Sequence, residues 1–189
     1  MIEQRGGSAW TIPNALTVAR IALTPAFVAA FVNERHLATW IIFALAGVTD
    51  CLDGFLARVL DQKSRLGAIL DPIADKFLLN TAFICLGLAD LAPSWLAVLV
   101  VTRDVIILGG YALLMSMGVN LVGRLAPSWL SKVTTAVQIL LVLYLLTVNA
   151  FEWKTNGFAV GLCVLAAGLT FLSGAQYVRQ GLQYVPHHD

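Results

Sequence analysis

The sequence predicts an all-α integral membrane protein with six transmembrane helices. Three observations predict it: the composition, the length of the apolar stretches, and the clustering of the few ionisable residues inside them. Of 189 residues, 59% are hydrophobic and only 12% are charged, with a mean hydropathy of +0.81; these values lie far from those of a soluble globular domain. A spanning helix needs ~20 mostly apolar residues. The chain supplies six such stretches: Pro13–Val32, Leu37–Arg58, Gly67–Leu91, Pro93–Met117, Ser128–Asn149 and Asn156–Gln180. They leave almost nothing for a separate soluble domain, so residues 1–189 are expected to form one membrane domain.

Each stretch is bounded by residues that start or stop helices. The first could be mistaken for a signal peptide, but Arg20 interrupts it and no small-residue cleavage site follows. It is therefore expected to be a retained helix. The breaks at Asn33–His36, Val59–Leu66, Ala92, Gly118–Pro127 and Ala150–Thr155 are polar or rich in Gly and Pro, as helix connections are. Lys and Arg sort unequally between the two sides. The N-terminus, the second and fourth connections and the C-terminus carry Arg5, Arg58, Lys63, Arg65, Arg124 and Arg179, while the other side carries Arg35 and Lys154. Cytoplasmic loops are enriched in such residues, so both termini are expected in the cytoplasm. Trp10, Trp40, Trp95, Trp129 and Trp153 fall near predicted helix ends, where indoles prefer the membrane interface.

Cys51, Cys85 and Cys163 sit singly in apolar helices without metal or redox spacing and read as small core residues. His36, in a connection, and His187 and His188, at the end of the chain, read as surface residues. No nucleic-acid partner is expected of this chain. Ionisable residues within a span are costly and ask for a reason, and here they concentrate between Asp50 and Lys76. Asp50 and Asp53 are three apart on the second helix, and Asp71 and Asp75 are four apart on the third. Each pair therefore projects from one helical face. The short connection at Val59–Leu66 makes the two helices antiparallel neighbours, with both pairs at a similar depth just below the cytoplasmic surface.

Four carboxylates crowded in a low-dielectric place must take up protons or cations. Oxygen ligands select hard divalent ions, Mg²⁺ or Mn²⁺, and two such ions suit a diphosphate and its attacking oxygen. The alternative for these aspartates is pairing with Arg20, Arg58, Lys76, Arg103 and Lys132. Gly54 and Gly67 leave room for a ligand or a neighbouring helix, although packing alone would also explain them. Arg58, one turn beyond Gly54, can present its planar fork to a phosphate or serve as an anchor on the positive side.

At this spacing the chain resembles the CDP-alcohol phosphotransferases, also called CDP-alcohol phosphatidyltransferases. Their signature is D-x2-D-G-x2-A-R-x8-G-x3-D-x3-D, and Asp50, Asp53, Gly54, Ala57, Arg58, Gly67, Asp71 and Asp75 match it at every gap. An Ile12-Pro13-Asn14 start to the first helix, Arg103-Asp104 in the fourth and Ser131-Lys132 in the fifth extend the resemblance. It implies a six-helix, usually dimeric protein whose polar, metal-binding cavity opens to the cytoplasm. It further implies that Asp50, Asp53, Asp71 and Asp75 ligate two metal ions and that Asp75 is also the general base. Asp50, Gly54, Ala57 and Arg58 would bind the cytidine diphosphate. In the implied reaction, Asp75 takes a proton from an acceptor alcohol, the alkoxide attacks the lipid-bearing phosphorus of CDP-diacylglycerol, and CMP leaves.

For the acceptor, two branches of the family compare well outside the signature. Members that use glycerol-3-phosphate typically carry two further basic residues, where this chain has Tyr111 and Thr134. Ala89-Asp90-Leu91, Arg103-Asp104-Val105 and the run from Ser131 to Gln138 resemble instead the cardiolipin synthases of the CDP-alcohol type, whose acceptor is phosphatidylglycerol. Phosphatidylglycerol is therefore the expected acceptor and glycerol-3-phosphate the alternative. Arg20, Arg103 and Lys132 are expected to be buried cations that meet the acceptor's phosphate. A small ion transporter could also bury carboxylates in six helices, but it would be expected to show an internal repeat, and the acidic cluster occurs once.

Overall fold

A computed structural model describes the backbone of residues 12–59, 67–116, 128–153 and 157–182, and the side chains of 19–49, 76–110, 128–153 and 157–181. Six helices occupy the described backbone: α1 (Ile12–Val32), α2 (His36–Val59), α3 (Gly67–Leu88), α4 (Ser94–Ser116), α5 (Trp129–Ala150) and α6 (Gly157–Leu182). The predicted third helix was to run to Leu91. It stops at Leu88 because Asp90 adopts a left-handed φ of 55° and the chain turns back to donate from the Leu91 and Ala92 amides to the Leu86 carbonyl. Such a turn satisfies the carbonyls that a helix end orphans.

The chain divides into two compact units, Met1–Thr81 and Ala82–Asp189. In the first, α1 packs on α2. Phe27 is fully buried, with its ring 6.1 Å from that of Phe31 and 6.0 Å from that of Phe43. Ala30 and Ala46 are buried beside this aromatic cluster. Three residues join α1 to α2, with Glu34 at φ 56° and the Arg35 amide donating to the Ala30 carbonyl at 2.9 Å. Pro25 lies inside α1.

In the second unit, α6 packs on both α4 and α5. The end of α3 approaches α4 closely at Gly87, where a Cβ would stand 3.4 Å from both the Ala97 Cβ and the Ser94 Cα. The Ser94 hydroxyl donates to the Gly87 carbonyl at 3.1 Å. Beside this crossing lies a groove of about 320 Å³ lined almost wholly by apolar residues, among them Ile84, Leu88, Val98 and Val101. Helix α5 begins with a capping bond, the Ser131 amide donating to the Ser128 hydroxyl at 3.1 Å.

Helix α6 is arranged oppositely to a helix in water. Its buried residues are small or polar, Ala159, Cys163, Ala166, Thr170 and Ser173, whereas Val160, Val164, Phe171 and Leu172 are exposed. Large apolar residues face outward when the solvent is lipid, and small ones let helices approach. Threonine hydroxyls behave consistently with that solvent: Thr24, Thr39, Thr81 and Thr147 each donate to the carbonyl four residues back. In hydrocarbon, a polar group must find such an internal partner. Among the described residues two helices, Trp129–Ala150 and Gly157–Gly181, are long and apolar enough to cross a membrane, and shorter apolar runs, Ala19–Val32, His36–Thr49 and Lys76–Leu88, lie in α1 to α3. Trp95, Trp129 and Trp153 are exposed at helix ends.

Candidate active site

The signature lies on two helices. Asp50, Asp53, Gly54, Ala57 and Arg58 fall in the last turns of α2, and Gly67, Asp71 and Asp75 in the first turns of α3. With a rise of about 1.5 Å per residue, the backbone positions of each aspartate pair lie about one helical turn apart. The side chains of these eight residues lie outside the described ones, as do that of Tyr111 and residues 60–66 between the helices. Among the described residues no group of three or more His, Cys, Asp or Glu could hold a metal. The carboxylates of Asp50, Asp53, Asp71 and Asp75 are oxygen donors of the kind that suits a hard divalent ion.

The cations read from the sequence separate into two kinds. Arg20 on α1 and Arg103 on α4 are buried as expected. Lys132 is not: it is exposed. Helix α5 turns Thr134, Gln138, Leu141 and Leu145 inward. Lys132, two residues and so about 200° of helix before Thr134, lies on another side.

Arg103 is the centre of a polar cluster that joins α4, α5 and α6. Its Nη1 donates to the Asp104 Oδ1 at 2.7 Å. Its Nη2 donates to the Ser131 Oγ at 2.7 Å and to the Ser173 Oγ at 2.6 Å. Both members of the ion pair are nearly inaccessible, at 3% and 2% exposure. Adjacent helical residues do not ordinarily face each other, so the pair forms because the long arginine side chain bends along the helix. The stem lies against Gly174, where an added Cβ would stand 3.5 Å from the Arg103 Cγ. The Arg103 Nε has no partner among the described residues.

One turn further along, the Thr134 hydroxyl shares its single hydrogen between the Leu130 and Leu169 carbonyls, at 2.8 and 3.2 Å. Next, the Gln138 Nε2 donates to the Thr170 Oγ1 at 2.9 Å, and Thr170 passes its own hydrogen to the Ala166 carbonyl at 2.6 Å. Sequence reasoning singled out Arg103, Asp104 and Ser131 but missed Ser173 and Thr170. Their three-residue spacing on an otherwise apolar helix was the available signal.

The model of the family described as CDP-alcohol phosphatidyltransferase matches residues 10–172, which include the signature, Arg103 and Ser131. The chain belongs to the CDP-alcohol phosphatidyltransferase family. Its relatives within that family fall into two groups by name. It is 37% identical to a cardiolipin synthase (CMP-forming) of Rattus norvegicus, over 93% of this chain and 63% of the relative. It is 35% identical to a CDP-diacylglycerol–glycerol-3-phosphate 3-phosphatidyltransferase of Pseudomonas fluorescens, over 89% of this chain and 88% of the relative. A Bacillus subtilis protein of the latter name is also 35% identical, over 89% of this chain and 93% of its own length. The chain therefore spans less than two thirds of the mammalian cardiolipin synthases that it matches, and about nine tenths of these two bacterial 3-phosphatidyltransferases. As a CDP-alcohol phosphatidyltransferase family member with two membrane-capable helices, it is assigned to the membrane, and both names describe phospholipid synthesis.

Proposed function

We propose that this protein transfers the phosphatidyl group of CDP-diacylglycerol to an alcohol acceptor and releases CMP, with phosphatidylglycerol as acceptor and cardiolipin as product. The observation that carries the reading is the eight-position signature, held on helical backbone at the end of α2 and the start of α3. Asp50, Asp53, Asp71 and Asp75 would hold two divalent ions, Mg²⁺ or Mn²⁺, which supply charge neutralisation at the diphosphate. Asp50, Gly54 and Ala57 form the cytidine-diphosphate pocket, and Arg58 donates its fork to a phosphate. Asp75 takes the proton of the acceptor hydroxyl. The new oxygen–phosphorus bond forms at the lipid-bearing phosphorus as its bond to the CMP phosphate oxygen breaks, and CMP leaves carrying that electron pair. No nucleophilic side chain is required.

In this reading all six helices span the bilayer around a cytoplasm-facing polar cavity, both termini are cytoplasmic, and the protein is a homodimer. Of the three cations read from the sequence, the buried Arg20 and Arg103 would meet the acceptor's phosphate, without the exposed Lys132. Phosphatidylglycerol, with one phosphodiester charge, needs fewer cations than the phosphomonoester of glycerol-3-phosphate, and two features support it. Thr134 stands where a further cation would be and is committed to two carbonyls, and much of the Arg103 charge is answered by Asp104. Relatives of both names match comparably well, so glycerol-3-phosphate is retained as the second reading. An acceptor screen tests the choice: CDP-diacylglycerol is offered with phosphatidylglycerol, glycerol-3-phosphate, serine or inositol, and the lipid product is weighed by mass spectrometry. Cardiolipin is expected. Phosphatidylglycerophosphate without cardiolipin would transfer the assignment to the second reading.

A further inference from the structure

The turn between α3 and α4 carries a charge that its backbone does not need. Asp90 stands just past the end of α3 at φ 55°, a conformation that Gly or Asn supplies there without charge. A carboxylate in this position also faces the negative end of the α3 dipole. Asp90 is exposed, and no cation pairs with it among the described residues. The same turn joins the two helices that line the apolar groove. The α3 wall of the groove ends at Leu88, two residues before Asp90, and the α4 wall runs from Ser94 to Thr102, about 12 Å along the helix. Gly87 and Ala97 lie buried where the helices touch, while Leu88 and Val98 stand out as rims at 82% and 65% exposure. A volume of about 320 Å³ is at the small end of ligand sites and suits one hydrocarbon chain better than a whole lipid. Trp95, next to Ser94 and exposed, is of the residue type that settles at the level of lipid headgroups.

We infer that the α3–α4 groove holds one acyl chain of a phospholipid whose headgroup carries an ammonium, and that Asp90 answers the ammonium. Placed beyond the helix end, the carboxylate can reach the outermost group of a headgroup while the chain lies between the helices. An anionic headgroup without an amine would meet Asp90 as a like charge and be disfavoured. A second copy of the chain is the other natural cover for an apolar face in a membrane. A two-fold dimer through this groove would set the same patch against itself and bring two Asp90 carboxylates to the same depth, so the charge favours the lipid. Membrane location alone is required, and neither the acceptor nor the transfer chemistry enters.

The test uses the full chain in phosphatidylcholine vesicles that contain a trace of phosphatidylethanolamine with a photoreactive group on one acyl chain. After illumination, labelled peptides are mapped by mass spectrometry. Labelling is expected to concentrate on residues 84–88 and 94–102. Unlabelled phosphatidylethanolamine is expected to compete about two- to fivefold better than phosphatidylglycerol, in line with an exposed ion pair. Asp90→Asn keeps a residue that tolerates the left-handed turn and is expected to abolish that preference while the chain is still labelled. Val98→Trp, on the exposed rim, is expected to lower labelling of both segments several-fold by filling the groove. Labelling spread evenly over the outward faces of α4 and α6, equal competition by the two lipids, or a preference that survives Asp90→Asn would each overturn the inference. Disulfide cross-linking of Val98→Cys between two copies in the same vesicles would give the groove to a second copy and overturn it as well. Should Val98→Trp not fold, Asp90→Asn decides alone.

Discussion

Replacing Arg103 by Leu breaks a buried ion pair at one end and leaves in place Asp104, a carboxylate at 2% exposure. Breaking a buried ion pair at one end costs about 3–5 kcal/mol. Asp104→Leu is expected to cost a comparable amount, because the partners that the guanidinium keeps among the described residues are two neutral hydroxyls. The double replacement removes both charges. It leaves two serine hydroxyls, each able to turn to a carbonyl of its own helix, and so is expected to cost less than either single change. The assay is equilibrium unfolding in detergent followed by far-ultraviolet circular dichroism, closed as a double-mutant cycle. Single costs below about 1 kcal/mol, in line with the weaker hydrogen bonds measured within membranes, or additive costs in the double variant, would refute the view that Arg103 and Asp104 form a desolvated unit.

Further outcomes follow from other residues. Asp75→Asn is expected to lower turnover about 10²- to 10⁴-fold, the usual worth of a general base, while CDP-lipid binding survives; Asp50→Asn should weaken that binding. Near-normal turnover by Asp75→Asn would remove its role as base. Thr170→Val strands the Gln138 amide, whereas Gln138→Leu leaves Thr170 still bonded to Ala166. Thermal unfolding should therefore show Thr170→Val as the costlier change, about 1–3 kcal/mol against about 1 or less, and the reverse order would contradict the bonding described. Glu34 adopts φ 56° in an exposed turn. Glu34→Gly is expected to stabilise by about 0.5–1 kcal/mol, because glycine enters that region without steric cost, and a lowered melting temperature would count against the turn.

The helices were legible in the sequence because lipid as solvent leaves a coarse signal. Apolar length fixed six segments whose ends fall within three residues of the observed ones, the largest difference being Leu91 against Leu88 for α3. That difference came from Asp90, whose left-handed turn is a backbone choice that apolar length does not report. The aspartate pairs fall on helical backbone in α2 and α3, as their three- and four-residue spacing within apolar stretches predicts. The surroundings of the cations were less legible. Arg103 and Asp104 were recognisable as a pair, but Ser173, 70 residues away, became its partner only through the packing of α6 on α4. Lys132 was expected inside and is exposed, because the rotational phase of α5 is set by Thr134 and Gln138 against α6, information held in tertiary contacts.

Metal-dependent release of CMP tests the central claim most directly. Purified protein in mixed micelles with CDP-diacylglycerol, phosphatidylglycerol and Mg²⁺ is expected to release CMP and form cardiolipin, to stop when EDTA is added, and to resume when Mg²⁺ or Mn²⁺ is returned in excess. Full activity in the presence of chelator, or no CMP with either phosphatidylglycerol or glycerol-3-phosphate, would contradict it.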